Sequence, residues 1–135
     1  MATYTKFQPF TEALAEKVHN LGSDQLVVAL TNTAPNATDA TLSQITEISY
    51  TNCSTRNITT ASSAQTSGTY KLTLTDLVLT ASGAVGPFRY IVVYNDTSTS
   101  DNLISYADYG SSISLASGDT FTIDFDGTNG FLTIA

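Results

Sequence analysis

Beyond Arg89 the chain has no lysine, arginine or histidine, although residues 90–135 hold six aspartates and keep a strand-like rhythm of apolar and polar residues. Such a stretch can fold as β-structure packed on one face and wet on the other. It cannot grip phosphate, and it supplies no histidine base and no positive oxyanion clamp. The constraint extends to the whole molecule: five Lys/Arg against twelve Asp/Glu give a net charge of −7. Polyanion binding releases counterions through many cationic contacts, so nucleic acid is not expected as a partner. An anionic membrane surface is excluded on the same ground, and no apolar run approaches the ~20 residues of a membrane-spanning helix.

Only 13% of residues are charged, about half the usual share; Ser and Thr take their place. Threonine suits strands because its β-branch restricts the side chain. With 135 residues the chain reads as a single β-rich domain, 1–135, with an N-terminal helical arm over about 1–22. A fold of this mass exposes roughly 6,800 Å² and buries enough surface to hold without staples. Cys53 is the only cysteine, so no disulfide forms within the chain, and a half-buried small side chain is expected there. The opening residues show no charged leader before a long apolar run, so synthesis in a cytoplasm without encoded export is expected. Four N-x-S/T sequons, at Asn36, Asn52, Asn57 and Asn95, are read as accidents of a Thr-rich chain.

The apolar spacing of Phe10, Leu14, Val18 and Leu21 predicts a helix over 9–21, entered at Pro9 and stopped at Gly22. A nearly continuous apolar run over 24–32 predicts a strand buried on both faces. Thr41 and Gln44 have capping-box spacing and predict one helical turn ending at Ile45. Residues 51–68 have few apolar anchors and read as a long loop or a weak edge. Strands follow at 70–74 and 77–79, with a bulge or bend at Thr75-Asp76 absorbing a flip of apolar phase. Phe88–Tyr94 reads as a central strand, Leu103–Tyr109 and Ile113–Leu115 as two more. Phe121, Ile123 and Phe125 alternate with polar residues, and the Asp126–Gly130 turn leads to Phe131–Ile134 as hairpin partner. Seven or eight short strands with one leading helix predict a mainly β fold, a β-sandwich or jelly-roll-like architecture with one N-terminal α-helix.

Chemistry is sparse. His19, the single histidine, lies at the predicted helix end, where it would bond the last carbonyls. It has no G-x-S-x-G partner, and no catalytic residue is assigned. Asp119, Asp124 and Asp126, joined by Asp108 if the fold brings it near, are the carboxylates a glycosidase pair would need, but Asp124 and Asp126 fall on a wet strand face. Asp124, Asp126 and Asn129 offer hard oxygen ligands for Ca²⁺, without EF-hand spacing and in a segment that a hairpin turn would equally require. No cofactor is expected. Tyr4, Phe7, Phe10, Tyr94, Tyr106 and Tyr109 are the candidate partner contacts, because aromatic anchors dominate interface energetics. Removal of residues 1–10 is expected to weaken assembly more than folding.

Several segments carry a likeness: Ala2-Thr3-Tyr4-Thr5-Lys6-Phe7, His19 to Asp24, Val28 to Pro35, Gly86 to Tyr90, Tyr109 to Ile113, and Gly118 to Phe121. Together they resemble small structural proteins of tailed bacteriophages, and the size and β-rich make-up resemble capsid decoration (cement) proteins. The resemblance implies a non-enzymatic virion component on the capsid surface, made in a bacterial host cytoplasm. Its partners would be the major capsid protein and copies of itself, as a dimer or trimer. A tail tube or tip component and a glycan-binding surface module are the alternatives.

Overall fold

The computed structural model describes residues 3–135; Met1 and Ala2, the start of the expected arm, lie outside the described residues. The fold is mainly β and sandwich-like, with 46% strand and 8% helix. Its accessible surface of 6905 Å² matches that of a well-buried chain of this mass.

Nine strands and one α-helix follow in chain order among the described residues: β1 Thr5–Lys6, α1 Gln8–Ala15, β2 Leu26–Thr31, β3 Thr60–Thr66, β4 Thr69–Leu74, β5 Leu77–Thr80, β6 Val85–Asn95, β7 Leu103–Leu115, β8 Thr120–Ile123 and β9 Leu132–Ile134. The main sheet is antiparallel in the order β1-β7-β6-β2; a second sheet runs β3-β4-β9 and a third pairs β5 with β8. The continuous apolar character of β2 has a direct consequence: all six of its residues are buried. Leu26, Val28 and Leu30 point into the larger core with Phe88, Ile91 and Val93. Val27 and Ala29 point the other way, into a smaller core with Phe7, Val92, Tyr94 and Leu103.

A sheet edge presents unpaired backbone groups, and β2 is such an edge. The segment between β2 and β3 covers it. Ile58 N–H donates to Leu26 O (2.9 Å), Val28 N–H to Arg56 O (3.0 Å) and Ile48 N–H to Leu30 O (3.0 Å). The Tyr50 hydroxyl accepts from Leu30 N–H at 2.9 Å, and the Arg56 guanidinium donates to Val28 O while lying 3.6 Å from the centre of the Tyr50 ring. A one-turn 3₁₀ helix at Leu42–Gln44 fills the predicted helical turn, with Gln44 Oε1 accepting from Thr41 N–H at 3.1 Å.

Several expectations are corrected. The helix ends at Ala15, six residues short of the predicted end at residue 21, because Lys17 takes a left-handed φ of 70°. Val18 N–H then reaches Ala13 O (2.9 Å) and Lys17 N–H reaches Leu14 O (3.4 Å), a Schellman ending that closes the helix well before Gly22. Of the two readings of residues 51–68, the weak edge holds for 60–66, which form β3 at the edge of its sheet, joined to β4 by Ser67 (φ 50°) and Gly68 (φ 85°), the two positive values a tight hairpin turn requires. At Thr75-Asp76 the chain leaves one sheet for another, so the apolar phase flips because β4 and β5 face different neighbours. The strands foreseen at 103–109 and 113–115 are one, β7. Strand β9 pairs with β4 rather than with β8.

Candidate functional site

The N-terminal segment, β7 and β8 enclose a cleft of about 680 Å³, whose walls include Tyr4, Tyr106, Tyr109, Phe121, Asp108 and Asp124. Three of the six aromatic residues expected to meet a partner therefore converge here. Tyr4 precedes β1, which pairs Thr5 with Tyr106; because successive strand residues point to opposite faces, the Tyr4 ring turns to the larger core and the Tyr106 ring to the smaller one, and both residues line the cleft. Tyr109 lies three residues further along β7 and is 52% exposed.

The rings are held from behind. Tyr106 packs on Phe7 (4.8 Å between centroids), and Tyr4 packs on Phe131 (5.1 Å) and Phe125 (5.8 Å). Phe121 meets Phe88 edge-on at 5.3 Å and Tyr109 at 5.4 Å. Edge-to-face and tilted pairs at these separations are favourable beyond simple burial. The walls are thus anchored to the core.

The two carboxylates differ. Asp108 is clamped by Arg89, with Nε to Oδ1 at 2.8 Å and Nη2 to Oδ2 at 3.0 Å, and it accepts Gly110 N–H at 2.8 Å. These bonds, Arg89 first, hold its pKa below the usual carboxylate value. Asp124 Oδ1 accepts Asp126 N–H at 2.7 Å, and no lysine or arginine lines the cleft beside it. The Tyr4 hydroxyl is shielded from solvent without a hydrogen-bond partner. Burial, and then the nearby carboxylates of Asp124 and Asp76, push its pKa well above the ordinary phenol value.

The other expected contacts lie elsewhere. Phe7 (0% exposed), Phe10 (3%) and Tyr94 (5%) are core side chains, which corrects their assignment as partner contacts: each already fills an apolar site in the chain itself. Tyr4, Phe7 and Phe10 thus all pack within the fold.

His19 is also corrected. It lies beyond the end of α1, is 6% exposed, and bonds no helix carbonyl. Its Nδ1 accepts from Asn95 Nδ2 at 3.0 Å, its ring packs on Phe10 at 5.1 Å, and its shielded Nε2 has no partner. Burial lowers its pKa, with Asp24 opposing. Asn95, itself wholly buried, also donates to Asp24 Oδ2 at 2.7 Å and accepts from the N–H groups of Thr97 and Ser98. A sequon residue thus serves as a buried hub.

Asp126 accepts both the backbone and the side-chain N–H of Asn129 (3.0 and 2.9 Å), bonds that lower its pKa. Both Asp126 oxygens proposed for Ca²⁺ are therefore engaged in building the turn, and among the described residues no three His, Cys, Asp or Glu side chains group as a metal site. Asp119 Oδ2 accepts from Ala116 N–H at 2.9 Å, another turn. Cys53 is half-buried; burial raises its thiol pKa, and Arg56 opposes this. No helix among the described residues is long and apolar enough to cross a membrane.

Sequence reasoning assigned Phe121 to the packed face of its strand. The available signal was the proximity of Thr120–Asp124 to a strong turn, but the placement of β8 beside β7 and Tyr4 is set by pairing with β5, far away in sequence. Comparison with known proteins finds no matching family model, no matching curated protein and no matching solved structure.

Proposed function

We propose that this chain is a non-enzymatic structural protein of a phage virion, a capsid decoration protein that stabilises the head by bridging major capsid subunits. The observation that carries the reading is the preformed cleft. Its aromatic residues, exposed Tyr109 and half-buried Tyr4, Tyr106 and Phe121, are braced from the core, its polar groups are carboxylates and hydroxyls, and the single histidine is committed to the interior. Such a surface suits docking, since aromatic anchors held in place bind with little ordering cost. The likeness of several short segments to small phage structural proteins supports the same reading. Many copies on a shell convert modest individual contacts into large summed stability, and an acidic, hydroxyl-rich exterior keeps the particle dispersed. The protein would act as a homo-oligomer, a dimer or trimer, on the capsid surface.

The test is co-sedimentation of the purified protein with undecorated heads of the phage that encodes it, followed by cryo-EM. Discrete density over capsid subunit junctions is the expected result. Density only on the tail would replace this reading with a tube or tip role, and absence from the particle would overturn both.

A further inference from the structure

We propose that the cleft receives a cationic side chain, an arginine guanidinium by preference, presented by the protein partner. The inference rests on the reading of the cleft as the partner-facing surface and adds the chemistry of what enters it.

Charge complementarity carries the argument. The cleft combines aromatic faces with two carboxylates, and none of the residues lining it is a lysine, arginine or histidine. Of its acids, Asp108 already has both oxygens engaged by Arg89. Asp124 has only one oxygen occupied, by a backbone N–H. One carboxylate is thus left without a cation, beside rings whose faces are negative. Aromatic faces attract cations, and a guanidinium stacks on them as an ammonium does not. The same planar group can also donate to a carboxylate. The environment around the shielded Tyr4 hydroxyl is negative as well, since Asp124 and Asp76 both disfavour its ionisation. At the mouth, Tyr109 is exposed and packed on Phe121, so its ring is free to cover an entering side chain. Of the five cations of the chain, Arg56, Lys71 and Arg89 are engaged at Val28 O, Thr128 O and Asp108 respectively, and Lys6 and Lys17 are not among the residues that line the cleft.

The test is a titration followed by aromatic ¹H–¹³C NMR at low ionic strength. The probes are acetyl-Gly-Arg-Gly-amide, its citrulline counterpart, which is nearly isosteric and uncharged, and chitohexaose as the glycan arm. The arginine peptide is expected to shift Tyr4, Tyr106, Tyr109 and Phe121 with saturation. The citrulline peptide should bind about tenfold more weakly, as expected for loss of one cation–π contact and one carboxylate pairing. Asp124→Asn keeps the acceptor for Asp126 N–H and should weaken arginine binding several-fold, while Tyr109→Ala, at an exposed ring, should do the same without loss of folding. Equal binding of the two peptides, shifts outside the cleft, or no response overturns the proposal. Stronger shifts of the same rings by chitohexaose overturn it in favour of a glycan site. Shell co-sedimentation separates this from the decoration role. Variants that bind shells normally remove the cleft from the contact and leave decoration standing. A wild-type chain that binds the arginine peptide but no shell does the reverse.

Discussion

At the level of single residues, the acidic character of the chain conceals how few polar groups are buried and how much of their bonding runs through one side chain. Asn95 is the clearest case, satisfying His19, Asp24 and two backbone N–H groups at once. Nothing in N-D-T spacing announces this, because the partners lie more than seventy residues away for His19 and Asp24. His19 gives the arrangement a measurable pH dependence. Its folded-state pKa is depressed by burial, so as pH falls through the ordinary value of about 6.5 the unfolded chain binds the proton first. Stability is therefore full at pH 7–8 and declines progressively below pH 6.5. Urea midpoints measured from pH 8 to pH 5 should show this decline, and His19→Gln should flatten it; an unchanged slope in the variant would refute the assignment. Asp108 and Asp126 are depressed carboxylates, so their stabilisation is present above their unfolded values and is lost only at more acidic pH, in a separate window.

At the level of elements, apolar periodicity made β2, β4 and the central position of β6 legible. It failed where a strand has no apolar residue larger than alanine. In β3, Ala61 to Thr66 are all exposed, and only the Ser67-Gly68 dipeptide marked the hairpin. It also failed for β9, whose partner is decided by packing between distant segments. The helix shows a third kind of failure: Val18 and Leu21 continue the periodicity of α1, but the chain turns left-handed at Lys17 and ends it. A left-handed conformation costs a non-glycine residue roughly 1–2 kcal/mol, so Lys17→Gly should raise stability by about 1 kcal/mol, read as a higher urea midpoint with unchanged slope. A drop in the midpoint would show that the lysine side chain contributes more than its backbone costs. The N-terminal segment gives the opposite sign. Phe7 is fully buried in the smaller core and packs on Tyr106, so Phe7→Ala should cost about 3–5 kcal/mol in the isolated protein. Unaltered unfolding would favour a separable arm. Of the cleft, Tyr4, Tyr106 and Tyr109 were legible as amphipathic aromatics, but their convergence with Phe121 and Asp124 depends on which strands become neighbours.

At the level of the whole molecule, three sheets share one large core while the outer face of the main sheet carries a second, smaller one. The cleft draws its walls from the N-terminal segment, β7 and the β8 segment, with Ile91 of β6 behind them, and none of those walls comes from the β3–β4 hairpin. That hairpin has its own tight turn, and at Gly68 nothing stands within 4 Å of an added Cβ. Loop tips of this kind tolerate insertion. A foreign epitope of ten to twenty residues (about the length such tips accept) placed between Ser67 and Gly68 should leave the thermal midpoint within a few degrees of the parent and remain accessible to antibody. Collapse of folding would place the hairpin tip among the structural contacts. If the protein does coat a shell in many copies, its turn becomes a display point: a scaffold on which a repeated antigen is presented by an element that neither the core nor the cleft requires.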